Sequence, residues 1–160
     1  MKTGGSKFLL PGGFRPLGFI FVFSGFILGT ARFYYGIKPD ALNLKIFAFY
    51  SSYLESKYLE IIRNNMCEEV VALLFVLGLF FIAFSKEKNE SVRVSLLRLK
   101  AFSIAVYLQI TFLVIAILFT FGFAFVYMLI VNMGAFLVFY IITFRILLYR
   151  SRKAAKYKQT

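Results

Sequence analysis

The sequence contains no histidine, a single cysteine and only seven acidic residues against 19 basic ones. The absence of histidine removes the commonest metal ligand and the usual proton carrier at neutral pH. It also excludes the Ser-His-Asp and Cys-His arrangements of nucleophilic catalysis. The lone Cys67 cannot form an internal disulfide, so cysteine usage does not indicate a redox compartment. We therefore expect no metal and no cofactor, and we favour a protein without enzymatic activity.

Charged residues are absent over the 44 residues from 101 to 144. As one helix this stretch would measure roughly 66 Å at about 1.5 Å per residue, about twice the thickness of a bilayer's hydrocarbon. Because backbone groups in lipid must bond internally, we expect two helices with a reversal near Gly122, where glycine allows a tight turn. The predicted spans are 101–120 and 122–144.

Two further apolar runs precede this pair. Residues 16–35 begin with Pro16, which suits a first helical turn, and they are about long enough to span. The small residues at 29–31 also fit the cleavage site of a signal peptide, but we favour a retained anchor. The run within 68–85 is apolar over only 15 residues, so we expect this helix either to thin the bilayer locally or to draw Glu68 and Glu69 toward the membrane boundary.

Residues 41–64, between the first two spans, place apolar residues at a helical period opposite a polar set. The segment is too charged to span and too apolar on one side to remain in water. It predicts an amphipathic helix along the membrane surface, or alternatively an extension of the second span. The expected fold is all-α: a single membrane domain, 1–160, forming a four-helix bundle with one extra interfacial helix.

Basic residues are unevenly distributed along the chain. The first 15 residues, the connector 85–100 and the tail 145–160 hold 14 of the 19 basic residues and only two acids. The positive-inside rule therefore predicts that both termini and this connector are cytoplasmic. A net charge of +12 would indicate nucleic acid in a soluble protein, but here the basic residues flank apolar runs. We expect them to contact anionic lipid headgroups, and we expect no nucleic acid.

Several short motifs carry a resemblance to a known group. The segments FSKEKNE (84–90), LLRLKAFSIAVY (96–107), RFYYGI (32–37), NMCEE (65–69) and VNM (131–133) resemble small four-span inner-membrane proteins of Bacteroidota. Glu68 stands where that group has Asp, which keeps the charge, whereas Lys100 stands where it has a carboxylate, which reverses it. The resemblance implies four spans in a bacterial inner membrane and implies no activity.

Charged residues at a membrane boundary are the first functional candidates. Glu68 and Glu69 are adjacent, about 100° apart on a helix, so only one of them can face Arg32 at the end of the first span. Such a cluster is either a structural ion pair or an ion-binding site, and we favour the ion pair. Gln109 and Asn132 lie at nearly equal distances from the predicted turn, so we expect them to bond across the last two helices.

The favoured function is a non-enzymatic accessory, scaffolding or regulatory subunit of an inner-membrane complex, bound to membrane lipids and to a protein partner or a second copy. Its expected docking surfaces are the amphipathic helix and the connector 85–100 together with the basic tail. An oligomeric ion channel or proton-coupled carrier using Glu68 and Glu69 is the alternative. A lipid-modifying enzyme built on Arg32, Glu55, Glu60 and Arg63 is a third possibility. The docking candidates in the connector are Lys86, Glu87, Lys88, Glu90, Arg93 and Arg98.

Overall fold

The computed structural model describes residues 9–52, 56–88 and 90–157. Within them, four helices are long and apolar enough to cross a membrane, which confirms the predicted number of apolar helices. The elements in chain order are α1 (Phe14–Phe33), a short 3-10 turn (Asp40–Leu42), β1 (Asn43–Ser52), β2 (Ser56–Asn65), α2 (Cys67–Phe84), α3 (Val92–Phe119) and α4 (Phe123–Tyr157).

The predicted amphipathic helix 41–64 is wrong, and with it the all-α assignment of this segment. The chain here forms two antiparallel strands whose register runs from Asn43↔Asn65 to Ser52↔Ser56, residues 53–55 lying outside the described residues. The segment is rich in isoleucine and aromatic residues, which favour strands. Short apolar runs of this kind fit a helical and a strand period equally well, and the strand preference decides here.

The reversal between α3 and α4 lies where the sequence predicts it. Helix α3 ends at Phe119, Thr120 donates its backbone N–H to Ala116 O at 3.0 Å, and Gly122 takes a φ of +64°. Only glycine adopts this left-handed conformation at little cost, so Gly122 closes the turn. Both helices extend beyond the predicted spans. Helix α3 already begins at Val92, and α4 continues through the basic tail to Tyr157.

The chain forms two compact units, residues 1–19 with 76–160 and residues 20–75. In the first unit α3 packs on α4. Ala101 and Ala105 are fully buried and lie one turn apart, and their small side chains let the two helices approach closely. On α4, Tyr140 and Phe144 stack with ring centroids 6.2 Å apart. This cluster of small and aromatic residues is the core of the unit.

In the second unit, 20–75, the later turns of α1 meet the first turns of α2. A Cβ atom on Gly25 would lie 3.2 Å from Leu74 Cβ, and one on Gly29 would lie 3.3 Å from Val71 Cγ1. The two glycines therefore face α2 and form the flat surface on which its side chains pack.

In the first unit, Gly18 of α1 makes a still closer contact, and Gly18→Ala is expected to destabilise the fold. The added Cβ would lie 2.7 Å from the carbonyl oxygen of Gly78 and 2.8 Å from Ile82 Cγ1. Because a backbone oxygen cannot move aside, the helices must separate, at a cost of about 1–3 kcal/mol. Unfolding by denaturant in detergent micelles measures this loss. Gly13→Ala is the control, since apart from its chain neighbours no atom of the described residues lies within 4 Å of its added Cβ, and an equal loss there would contradict the prediction.

Candidate functional site

Arg32 and Glu68 form an ion pair at the base of the hairpin. Arg32 lies in the last turn of α1 and Glu68 in the first turn of α2, and the β1–β2 hairpin brings the chain back between them. Arg32 Nη2 donates to Glu68 Oε1 at 2.6 Å. Glu69 is exposed and makes no ion pair with any described residue. Glu68 is therefore the carboxylate that faces Arg32. Since half of its side chain is exposed, this pair contributes little stability.

Gln109 of α3 and Asn132 of α4 also lie together, as the sequence predicts. Gln109 Nε2 donates to the backbone oxygen of Asn132 at 3.2 Å and to its side-chain Oδ1. Gln109 Oε1 is buried without a hydrogen-bond partner among the described residues. Interhelical hydrogen bonds of this type are worth on the order of 0.6–2 kcal/mol in a membrane. The contact links α3 to α4 and offers no chemistry of its own.

A third polar cluster, which we call the Glu87 network, forms around the connector that joins α2 to α3. The chain ahead of α1 runs alongside this connector: Leu10 accepts from Lys86 N–H at 3.0 Å and donates its own N–H to Phe84 O at 3.0 Å. These backbone bonds hold the start of α1 against the end of α2. They bring Arg15, in the first turn of α1, next to Glu87.

Glu87 is the centre of this network. Its side chain is only 7% exposed, and three arginines bind it. Arg15 Nη1 and Arg145 Nη1 both lie 2.9 Å from Oε1, and Arg152 Nη2 lies 3.4 Å from Oε2. A single buried carboxylate thus connects the first turn of α1, the connector and the last turns of α4. Its burial is compensated by these guanidinium groups.

Arg98 binds a second acid of the connector, Glu90, and the end of α2. Its guanidinium binds both oxygens of Glu90, at 3.2 and 3.3 Å. It also donates to the carbonyl oxygens of Ala83 at 3.2 Å and Ser85 at 2.8 Å, which lie at the end of α2. The guanidinium carbon lies 4.5 Å from the centre of the Phe144 ring, a cation–π contact. Arg98, which lies on α3, therefore caps α2 through these carbonyl groups and contacts α4 through Phe144.

These contacts correct the prediction that the whole connector is a docking surface. Glu87 and Arg98 are buried, and the charged groups of both side chains bind partners within the chain. Glu90 is half-buried and is held by Arg98. Lys88 and Arg93 are exposed and Lys86 is half-buried, so these three of the six predicted docking residues remain available to a partner.

Arg15, Arg145 and Arg152 were not predicted from the sequence as partners of Glu87. They lie 72, 58 and 65 residues away from it along the chain. A signal was present nonetheless. Glu87 is one of only two acids in three basic segments that the charge distribution assigns to the same side of the membrane.

Among the described residues, no three cysteine, aspartate or glutamate side chains lie close enough together to hold a metal ion. The comparisons with known proteins add no further assignment. No protein-family model, no curated protein and no solved structure matches the chain. Its function must therefore be inferred from the geometry of the chain itself.

Proposed function

We propose that the protein is a non-enzymatic, multi-pass protein of a bacterial inner membrane, and that it acts by contact as an accessory, scaffolding or regulatory subunit of a membrane complex. In this proposal the four helices form a bundle, with both termini and the connector 85–100 in the cytoplasm. The Glu87 network supports a location of these segments on the same side of the membrane, because Arg15, the connector and Arg145 meet there. These are the segments that the positive-inside rule assigns to the cytoplasm.

The β1–β2 hairpin is the observation that carries the proposal. Its strands are ten residues each, and within the described residues they pair only with each other, so each has one unpaired edge. An isolated two-stranded hairpin is marginally stable in water, and an open edge is a template for another strand. Leu44, Leu59 and Ile61 expose 47%, 64% and 73% of their surface. A partner protein that adds a strand would satisfy the edge and cover these side chains.

Site-specific photo-crosslinking in native membranes tests this proposal. With a photoreactive residue in place of Ile61, we expect a discrete crosslinked product with a larger mass than the chain itself, because the hairpin edge is covered by protein. The same residue in place of the exposed Lys88 is the control and should not give this product, because Lys88 lies in the connector and not at the hairpin edge. Mass spectrometry of the product then distinguishes a different subunit from a second copy of this chain.

Two outcomes would contradict the proposal. One is that position 61 crosslinks to lipid alone, which would make the hairpin a membrane-surface element. The other is that positions 61 and 88 give the same set of products, which would indicate random collision. Copurification at low detergent provides a second readout, since a contact subunit should retain its partner.

The other two functions predicted from the sequence have less support. A channel or carrier needs free carboxylates, yet Glu68 is bound to Arg32, and of this pair of acids Glu69 alone makes no ion pair with a described residue. The lipid-modifying enzyme was predicted to have its site among Arg32, Glu55, Glu60 and Arg63 at the outer headgroups, with residues 41–64 as a helix. Glu60 lies instead in a strand, and Glu55 lies outside the described residues.

A further inference from the structure

A cleft of about 440 Å³ opens beside the Glu87 network. Its walls are the first turn of α1 and the start of the connector; the lining residues are Gly12, Arg15, Pro16, Lys86, Glu87 and Lys88. The volume is within the range of roughly 300–1,000 Å³ that is usual for small-ligand sites. Because α1 begins and α2 ends here, the cleft lies at the boundary of two candidate membrane spans.

Positive charge is in excess around this cleft. Five cationic side chains, Arg15, Lys86, Lys88, Arg145 and Arg152, lie in or beside it, and the three arginines share the carboxylate of Glu87. The next acid along the connector, Glu90, is already bound to Arg98. Neither Lys86 nor Lys88 has a carboxylate within ion-pair distance among the described residues. Five cations and one carboxylate leave a net charge of about +4 around the cleft.

Hydrogen-bond donors are in excess as well. A guanidinium has five N–H groups, and Arg15 and Arg145 each direct a single nitrogen at the same oxygen of Glu87. Arg15 and Arg145 are about one-third exposed and Arg152 is 62% exposed, so their remaining donors can be reached from outside. A ligand with several negatively charged oxygens would supply both the missing charge and the missing acceptors.

We propose that this cleft binds a phosphate group, carried either by an anionic phospholipid headgroup or by a free phosphate compound. Lys86 and Lys88 contact the phosphate from the connector and Arg15 contacts it from α1, while Glu87 holds the arginines in position. Basic pockets between membrane helices bind phospholipid headgroups through this chemistry. The proposal is independent of the partner-binding function of the hairpin.

Native mass spectrometry of the full chain in a neutral detergent tests the proposal with phosphatidylglycerol, phosphatidylcholine and inorganic phosphate as probes. We expect one bound phosphatidylglycerol, held about tenfold more tightly than phosphatidylcholine. A double variant, Lys86→Gln with Lys88→Gln, should lose about tenfold in this affinity, since each basic residue near the surface contributes to binding. Neither lysine has an ion-pair partner among the described residues, so the fold should be unaffected, and an unchanged melting temperature checks this.

The control carries the same loss of charge elsewhere. Arg93 and Lys100 are exposed on α3 outside the cleft, so Arg93→Gln with Lys100→Gln should leave the affinity unchanged. If millimolar inorganic phosphate displaces the lipid or stabilises wild type but not the cleft variant, the natural ligand is a free phosphate compound. If it does neither while phosphatidylglycerol binds, the ligand is a lipid. Equal losses in the two double variants, or no loss in either, would overturn the proposal.

Discussion

A Glu87→Gln variant is expected to lose about 3 kcal/mol of unfolding free energy. The substitution keeps the shape of the side chain but removes the charge that holds Arg15, Arg145 and Arg152 together. Three guanidinium groups would then repel one another around a neutral amide. Removing one partner of a buried pair generally costs about 3–5 kcal/mol, and we place this site at the lower limit because water can reach the arginines.

Unfolding by denaturant in detergent micelles, with the full chain, measures this loss. The matched control is Glu69→Gln, which removes a carboxylate that is exposed and unpaired among the described residues, and it should change stability by less than about 0.5 kcal/mol. The loss of stability in each arginine variant should decrease as the distance between that arginine and Glu87 increases. Arg152→Gln, at 3.4 Å, should cost less than Arg15→Gln, at 2.9 Å. A Glu87→Gln protein as stable as wild type would show that the network contributes no stability.

The four apolar helices could be predicted because their signal is local. A run of roughly 20 residues without charge has few alternatives in lipid, so length and composition suffice. The turn at Gly122 was predictable for the same reason, since the uncharged stretch is twice too long for one crossing. Once that turn is fixed, two rigid helices place Gln109 opposite Asn132 by counting alone, and the structure brings the two together.

The hairpin could not be identified in the same way. Its apolar residues occupy positions that suit a helical face, and neighbouring pairs such as Ile46 and Phe47 blur the strict alternation of a strand. What distinguishes a strand is its partner: the register sets Ile46 opposite Ile62 and Tyr50 opposite Tyr58. Periodicity is a property of each segment alone, so it cannot reveal this pairing.

The Glu87 network was missed for a related reason. Charge counts predicted which segments share a side of the membrane, and the contacts of Arg15 and Arg145 with Glu87 agree with that grouping. They could not predict that one carboxylate would be buried among three arginines, because this depends on how the start of α1 lies along the connector. Charged residues in a connector are usually solvated, so the sequence predicts that Glu87 and Arg98 are exposed. In the structure both are buried.

Arg98→Met is expected to cost about 4 kcal/mol, a larger loss than that of Glu87→Gln. Arg98 is 8% exposed and binds Glu90 together with the carbonyl oxygens of Ala83 and Ser85. Methionine fills a similar volume but offers no donor. The variant would therefore leave a partly buried carboxylate and two carbonyl groups without their partner.

Arg98→Lys separates the role of charge from the role of geometry. A lysine keeps the positive charge, but its single ammonium cannot reach Glu90 and two carbonyl groups in the plane that a guanidinium occupies. We expect the lysine variant to recover less than half of the loss caused by methionine, measured by the same unfolding titration. Arg93→Met, at an exposed position five residues earlier, is the control and should stay within about 0.5 kcal/mol of wild type.

A double variant completes the test. If Glu90 is the main partner of Arg98, then Glu90→Gln with Arg98→Met should cost clearly less than the sum of the two single variants, because the second change no longer leaves a buried charge unpaired. Additive losses would mean that the carbonyl groups of Ala83 and Ser85 are the important acceptors. Full stability in Arg98→Lys would mean that charge alone suffices, and that the guanidinium does not serve as the cap of α2.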